Sequence, residues 1–96
     1  MEHLSKIELI GRVGAVREFL VGDQRLVRFG LGVDTVFSGG AGSVAKTTWF
    51  NCTYWGDRAI SKGQELHLEG RIIGQDYMDS DGRARQAFEV KVNKIW

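Results

Sequence analysis

Apolar and polar residues alternate along most of this chain, the period of half-buried strands rather than of helices. In residues 4–13, Ile7, Leu9 and Val13 share one parity and Lys6, Glu8 and Arg12 the other, and Gly11 and Gly14 allow a sharp bend. Gly22 and Asp23 supply a turn. Residues 26–33 place Val27, Phe29, Leu31 and Val33 inward and Arg28, Gly30 and Gly32 outward. An outward face of one arginine and two bare glycines is unusual: the strand coils there to close a barrel, another backbone approaches closely, or both. Residues 34–46 are rich in Gly and Ser and read as a flexible hairpin loop. Phe37, near its base, either packs on the body or reaches for a ligand.

Residues 46–55 read as the third strand. Phe50, Cys52 and Tyr54 make its core face, while Trp49 and Trp55 share the opposite face with Thr47, Asn51 and Thr53. Two indoles among small polar side chains suit a platform for a flat ligand, or else both faces are partly buried and the indoles fill a barrel. Residues 57–63 are long enough for about two turns of helix, with Lys62 and Gly63 as a C-terminal stop. In residues 64–73 Leu66 and Leu68 point inward, and Gly70 marks a bulge beyond which the strand runs on toward Tyr77. A turn at residues 79–82 precedes the last strand, which places Phe88, Val90 and Val92 inward. The pattern therefore predicts an all-β chain: a small closed barrel of five strands with one short helix between the third and fourth. That is the element order of the OB-fold.

Composition narrows the function. Ninety-six residues make a single domain, 1–96, with a modest core. No apolar run approaches the ~20 residues of a membrane span, and no leader opens the chain, so no membrane association is expected. The lone Cys52 excludes an intrachain disulfide and fits a reducing compartment. His3, Cys52 and His67 lack metal-ligand spacing, so neither metal nor cofactor is expected. The formal charge of +1 falls short of the basic excess usual in nucleic-acid binders, although a local groove can be positive within a balanced surface. Thirteen glycines and no proline point to tight turns, bulges and curved strands. Residues 39–47 approach the phosphate-binding pattern G-x-x-x-x-G-K-[ST], but Ala45 stands where the second glycine is needed and a strand comes next rather than a helix. The D-S-D-G turn lacks the downstream glutamate of a calcium loop. Nothing groups Ser, His and Asp for catalysis, and no enzyme is expected.

The order of these pieces resembles the bacterial single-stranded DNA-binding protein (SSB) family, over nearly the whole chain. K-I-E-L-I-G-R-V-G at residues 6–14 is similar to its opening strand, and V-R-F-G-L-G-V at 27–33 to its second. T-T-W-F-N-C-T-Y-W-G at 47–56 resembles its T-E-W-H-x-V-x-x-F-G block, K-G-Q-E-L-H-L-E-G-R at 62–71 its K-G-x-x-V-x-I-E-G-x block, and D-S-D-G at 79–82 its D-x-x-G hairpin. The resemblance implies sequence-independent binding of single-stranded DNA in replication, recombination and repair, by a cytoplasmic, nucleoid-associated homo-oligomer, a tetramer or else a dimer. It implies that bases stack on Phe37, Trp49, Trp55 and Tyr77, three of which carry a different ring from the family's usual one; any π face stacks a base.

The chain departs from the family in several places. Phe50 replaces a histidine that lies near subunit contacts in the family, which makes Phe50, Lys6 and Glu8 the candidate oligomer interface. Residues 73–76 hold no basic side chain, so phosphate contacts are expected from Lys6, Arg12, Arg28, Lys46, Arg71, Arg83 and Arg85. The sequence stops at Trp96, where the family continues into a tail with an acidic tip, so tail-mediated protein partners are not expected. The alternatives are a primosome-type OB-fold accessory protein bridging DNA and replication proteins, and an assembly module whose aromatic face is a protein interface.

Overall fold

The alternation is realised as five strands: β1 (Ile7–Val21), β2 (Gln24–Gly39), β3 (Gly42–Trp55), β4 (Glu65–Met78) and β5 (Ala84–Ile95). The computed structural model describes residues 3–40 and 42–96. The strands close into a barrel in the order β1-β2-β3-β5-β4, with β1 paired to both β2 and β4. All ladders are antiparallel except the last to close. There β3 and β5 run parallel and meet at only two pairs, Cys52 with Val90 and Thr53 with Lys91.

The inward parity holds the core, centred on Leu9, Val27, Leu31, Cys52, Leu68 and Val90. Val27, Leu31 and Leu68 have no or almost no exposed surface, each contributing about 1.5–3 kcal/mol of transfer free energy. Burial pushes the Cys52 thiol up to about 12, so at neutral pH it is a small hydrophobe rather than a nucleophile. A register shift in β1 between Val13 and Val16 inverts the facing of the residues beyond it. Arg17 and Phe19 thereby join the outer face, opposite Arg28 and Leu26. At Gly70 the ladder shifts again, and a Cβ there would collide with the Lys91 carbonyl.

Three expectations are corrected. Residues 57–64 form bends and a turn, with no helix among the described residues. Their polar groups are spent elsewhere. The Arg58 amide donates to the Tyr54 hydroxyl, and its guanidinium donates to the Ile95 and Trp96 carbonyls. The Gly63 amide donates to the Val13 carbonyl, and Ile60, 4% exposed, is drawn into the core. So short a segment has little helical cooperativity with which to resist those partners. Residues 34–39 and 42–46, expected as loop, are strand, and Ala41 between them lies outside the described residues. The β2–β3 ladder continues rung by rung from Asp34 and Thr47 to Gly39 and Gly42, because Thr35, Val36, Phe37 and Val44 are strand formers and Phe37 stands opposite Val44. Finally, Phe88 has the inward parity, yet it is 58% exposed, because β3 and β5 pair no further than Cys52 and Val90 on that side and no described residue covers it.

Candidate nucleic-acid interface

The outer face of β1, β2 and β3 is assembled in cross-strand rows. In one row Trp49 stands opposite Gly32. Its six-membered ring occupies the space where side chains of Gly14 and Gly32 would be, a Cβ at Gly14 lying 2.8 Å from Cζ3 and one at Gly32 2.9 Å from Cη2, and it passes over Gly30, where a Cβ would make ordinary contact at 3.6 Å from Cε3. The bare glycines that looked anomalous in the sequence are thus the floor on which an indole from the next strand rests. Because that floor is backbone, the ring is held from below while Trp49 stays 60% exposed. Trp55 sits in a second row opposite Leu26, which is in turn opposite Phe19. Leu26 is buried although it points outward, since an aromatic ring flanks it on each side. Between the two rows lie Arg17, Arg28 and Thr53, and the Arg28 guanidinium is 6.0 Å from the Phe19 ring centre, within cation–π range.

This face is one wall of a groove of about 340 Å³ whose other wall is the β4–β5 arm. Arg17, Arg28, Asn51 and Thr53 line it from the sheet, and Gln75, Phe88 and Glu89 from the arm. Farther along the arm Tyr77 pairs with Arg85, and Tyr77 is 51% exposed. The turn that ends the arm is built by Asp79. Its carboxylate accepts from the amides of Asp81 and Arg83 and from Arg85 Nε at 2.9 Å. The Arg85 guanidinium first, and the Arg83 amide after it, hold the Asp79 carboxyl below its ordinary range. A depressed folded pKa means that the ordering is complete above the unfolded value near 3.8 and is lost as pH falls through the folded one. The expected result in an NMR titration is that the Asp81 and Arg83 amide resonances move with a midpoint below 3.8, whereas in Asp79→Asn they are displaced at neutral pH.

The sequence profile described as the single-strand binding protein family matches residues 4–96. The chain belongs to this family. Two curated relatives, both called single-stranded DNA-binding protein, come from Neisseria meningitidis serogroups A and B. Each is 29% identical over 101 residues, covering 96% of this chain. The chain spans 58% of the length of those relatives. Among solved structures, the Plasmodium falciparum SSB complex with ssDNA superposes with a TM-score of 0.81 at 20% identity, covering 97% of this chain and 90% of that one. At that identity the likeness speaks for the fold, and it agrees with the all-β closed barrel expected of a member of the single-strand binding family.

In this family member the residues singled out in the sequence do not all gather. Trp49, Trp55, Arg28 and, by parity along the arm, Tyr77 and Arg85 belong to the outer face. Phe37 does not: it is paired with Val44 on the opposite parity of the β2–β3 ribbon, the parity of Leu31 and Phe50. Lys46, across from Thr35, shares that side. Lys6 is bound to Glu69 at 3.2 Å, and Arg12 donates to the Gly63 carbonyl. Arg71, on the outer parity, faces Lys91 across the β4–β5 ladder, and Arg83 lies in the Asp79 turn. Of the interface candidates, Phe50 packs against the core and Glu8 is hydrogen-bonded to His67 at 2.8 Å. Arg17, Asn51 and Phe88 are lining residues that sequence reasoning missed. Asn51 shares the parity of the two tryptophans, a signal that could have found it. Arg17 is concealed by the register shift in β1, which no local pattern announces.

Proposed function

We propose that this protein binds single-stranded DNA of any sequence, stacking bases on Trp49, Trp55 and Tyr77 while Arg17, Arg28 and Arg71 neutralise phosphates beside them. Phe37 extends the track from the other face of the ribbon. The reading has no catalytic step. It places the protein on exposed strands during replication, recombination and repair, in the cytoplasm, as a homo-oligomer: a tetramer, or else a dimer. The observation that carries it is the Trp49 indole, seated on a glycine floor with 60% of the residue open to solvent in a chain of the single-strand binding family. An apolar ring held from one side presents its other side to a planar partner.

Intrinsic tryptophan fluorescence titrated with oligo-dT tests this, with molar mass monitored by light scattering. Strong, saturable quenching is expected, weakening with salt on a shallow slope because few cations line the groove. No quenching in a protein that self-associates tightly would overturn the proposal in favour of an aromatic protein interface.

A further inference from the structure

One row of outward-facing residues crosses all five strands. Arg17 on β1 stands opposite Arg28 on β2, Arg28 opposite Thr53 on β3, Thr53 beside Lys91 on β5, and Lys91 opposite Arg71 on β4. The row passes over the two-rung parallel contact, because Thr53 and Lys91 are one of its rungs. We propose, resting on the single-stranded DNA reading above, that the sugar–phosphate backbone lies along this row, and that its phosphates bridge the β3–β5 contact and hold the barrel closed there.

The charges call for anions that the chain does not supply. Like charges directly opposite each other destabilise a sheet, yet Arg17 faces Arg28 and Lys91 faces Arg71. Among the described residues none of the four is in an ion pair: Glu69 is taken by Lys6, Glu18 by Arg25, Glu8 by His67 and Asp79 by Arg85. Glu89, two positions before Lys91 on the same face, has its carboxylate engaged by the Thr53 hydroxyl at 3.1 Å and by Gln75 Nε2 at 3.2 Å. It borders the row on the arm side and turns phosphates away from the arm. Neighbouring strands about 4.8 Å apart make the row about 19 Å long, room for several linked nucleotides rather than one free phosphate. Trp55 lies two residues from Thr53 on one side of the row and Trp49 four residues on the other. Bases can therefore reach a ring on either side while the backbone stays between them, and no base is read by its edge. Opening the β3–β5 contact separates Arg17 and Arg28 from Lys91 and Arg71. A strand that touches all four binds the closed barrel better than the open one and shifts that equilibrium toward closure.

The test measures oligo-dT affinity against salt for the unmodified protein, Lys91→Gln, Arg71→Gln and, in the turn between β3 and β4, Lys62→Gln. Lys91→Gln and Arg71→Gln are each expected to lower the slope of log K against log salt by about 0.7, the value of one phosphate contact on a single strand. Lys62→Gln leaves the slope as it is. Hydrogen exchange of the free and the saturated protein reads the closure. Saturating oligo-dT is expected to slow exchange of the amides that donate across the β3–β5 contact about tenfold. Lys91→Gln loses most of that effect, and Lys91→Arg, which keeps the charge, retains both the slope and the slowed exchange. Slopes that neither Lys91→Gln nor Arg71→Gln changes overturn the path. Lower slopes without slowed exchange overturn the bridge across the contact. No binding of oligo-dT by the unmodified protein overturns the single-stranded DNA reading itself.

Discussion

Replacing Gly32 by valine weakens oligo-dT binding about as much as removing the Trp49 indole does, a loss of roughly 1–3 kcal/mol if one stacked base is forfeited. The reason is steric. A Cβ at Gly32 would stand 2.9 Å from Cη2 and 3.0 Å from Cζ3 of Trp49, and 3.2 Å from Cγ2 of Thr47, and valine adds two methyl groups beyond it. The indole must lift or turn, and the ring no longer presents its open side to a base. Valine is a good strand former, so the barrel is expected to survive. A double-mutant cycle decides the matter: in a Trp49→Ala background, Gly32→Val costs little further affinity, because the ring it displaces is already gone. Additive losses measured by fluorescence anisotropy would mean that the glycines serve strand curvature and not the platform.

Leu31→Ala is expected to lower unfolding free energy by about 2–5 kcal/mol, a large part of the ~5–15 kcal/mol typical of a domain. Leu31 is fully buried between Val13 and Phe50 in adjacent strands. Gly11 packs against it so closely that a Cβ there would lie 3.0 Å from its Cγ. Deleting the side chain leaves a cavity that two rigid ladders cannot close over. Urea denaturation should show a lower midpoint with an unchanged slope, and the fraction that stays folded should bind oligo-dT with ordinary affinity. A cost under about 1 kcal/mol would contradict a close-packed interior at this level of the barrel. Stability and binding are thus expected to separate cleanly between two residues of one strand, Leu31 facing in and Gly32 facing out.

The barrel was legible because its interior is written in a local code. Val27, Phe29 and Leu31, then Phe50, Cys52 and Tyr54, alternate within single strands, and alternation is what a two-faced strand requires. What escaped was decided by partners far away in sequence. Residues 57–63 read as helical until Arg58 is seen reaching the carbonyls of Ile95 and Trp96. Residues 34–46 read as a loop by composition, whereas cross-strand pairing makes a ladder of residues 34–39 with 42–47. That ladder fixes the parity of Phe37, and with it the separation from Trp49. The anomaly of Gly30 and Gly32 was plain in the sequence, but its cause was not, since the indole that uses them arrives from another strand. Phe88 shows the remaining limit. Parity says which way a side chain points but not where the barrel that would cover it ends.

The parallel contact between β3 and β5 has a kinetic consequence. With two rungs against the long antiparallel ladders on every other side, it is the clasp of the ring, and a clasp opens before the band breaks. The amides that donate across this contact should therefore exchange by local opening, while their neighbours on the same strands, which donate into the β2–β3 and β4–β5 ladders, stay protected.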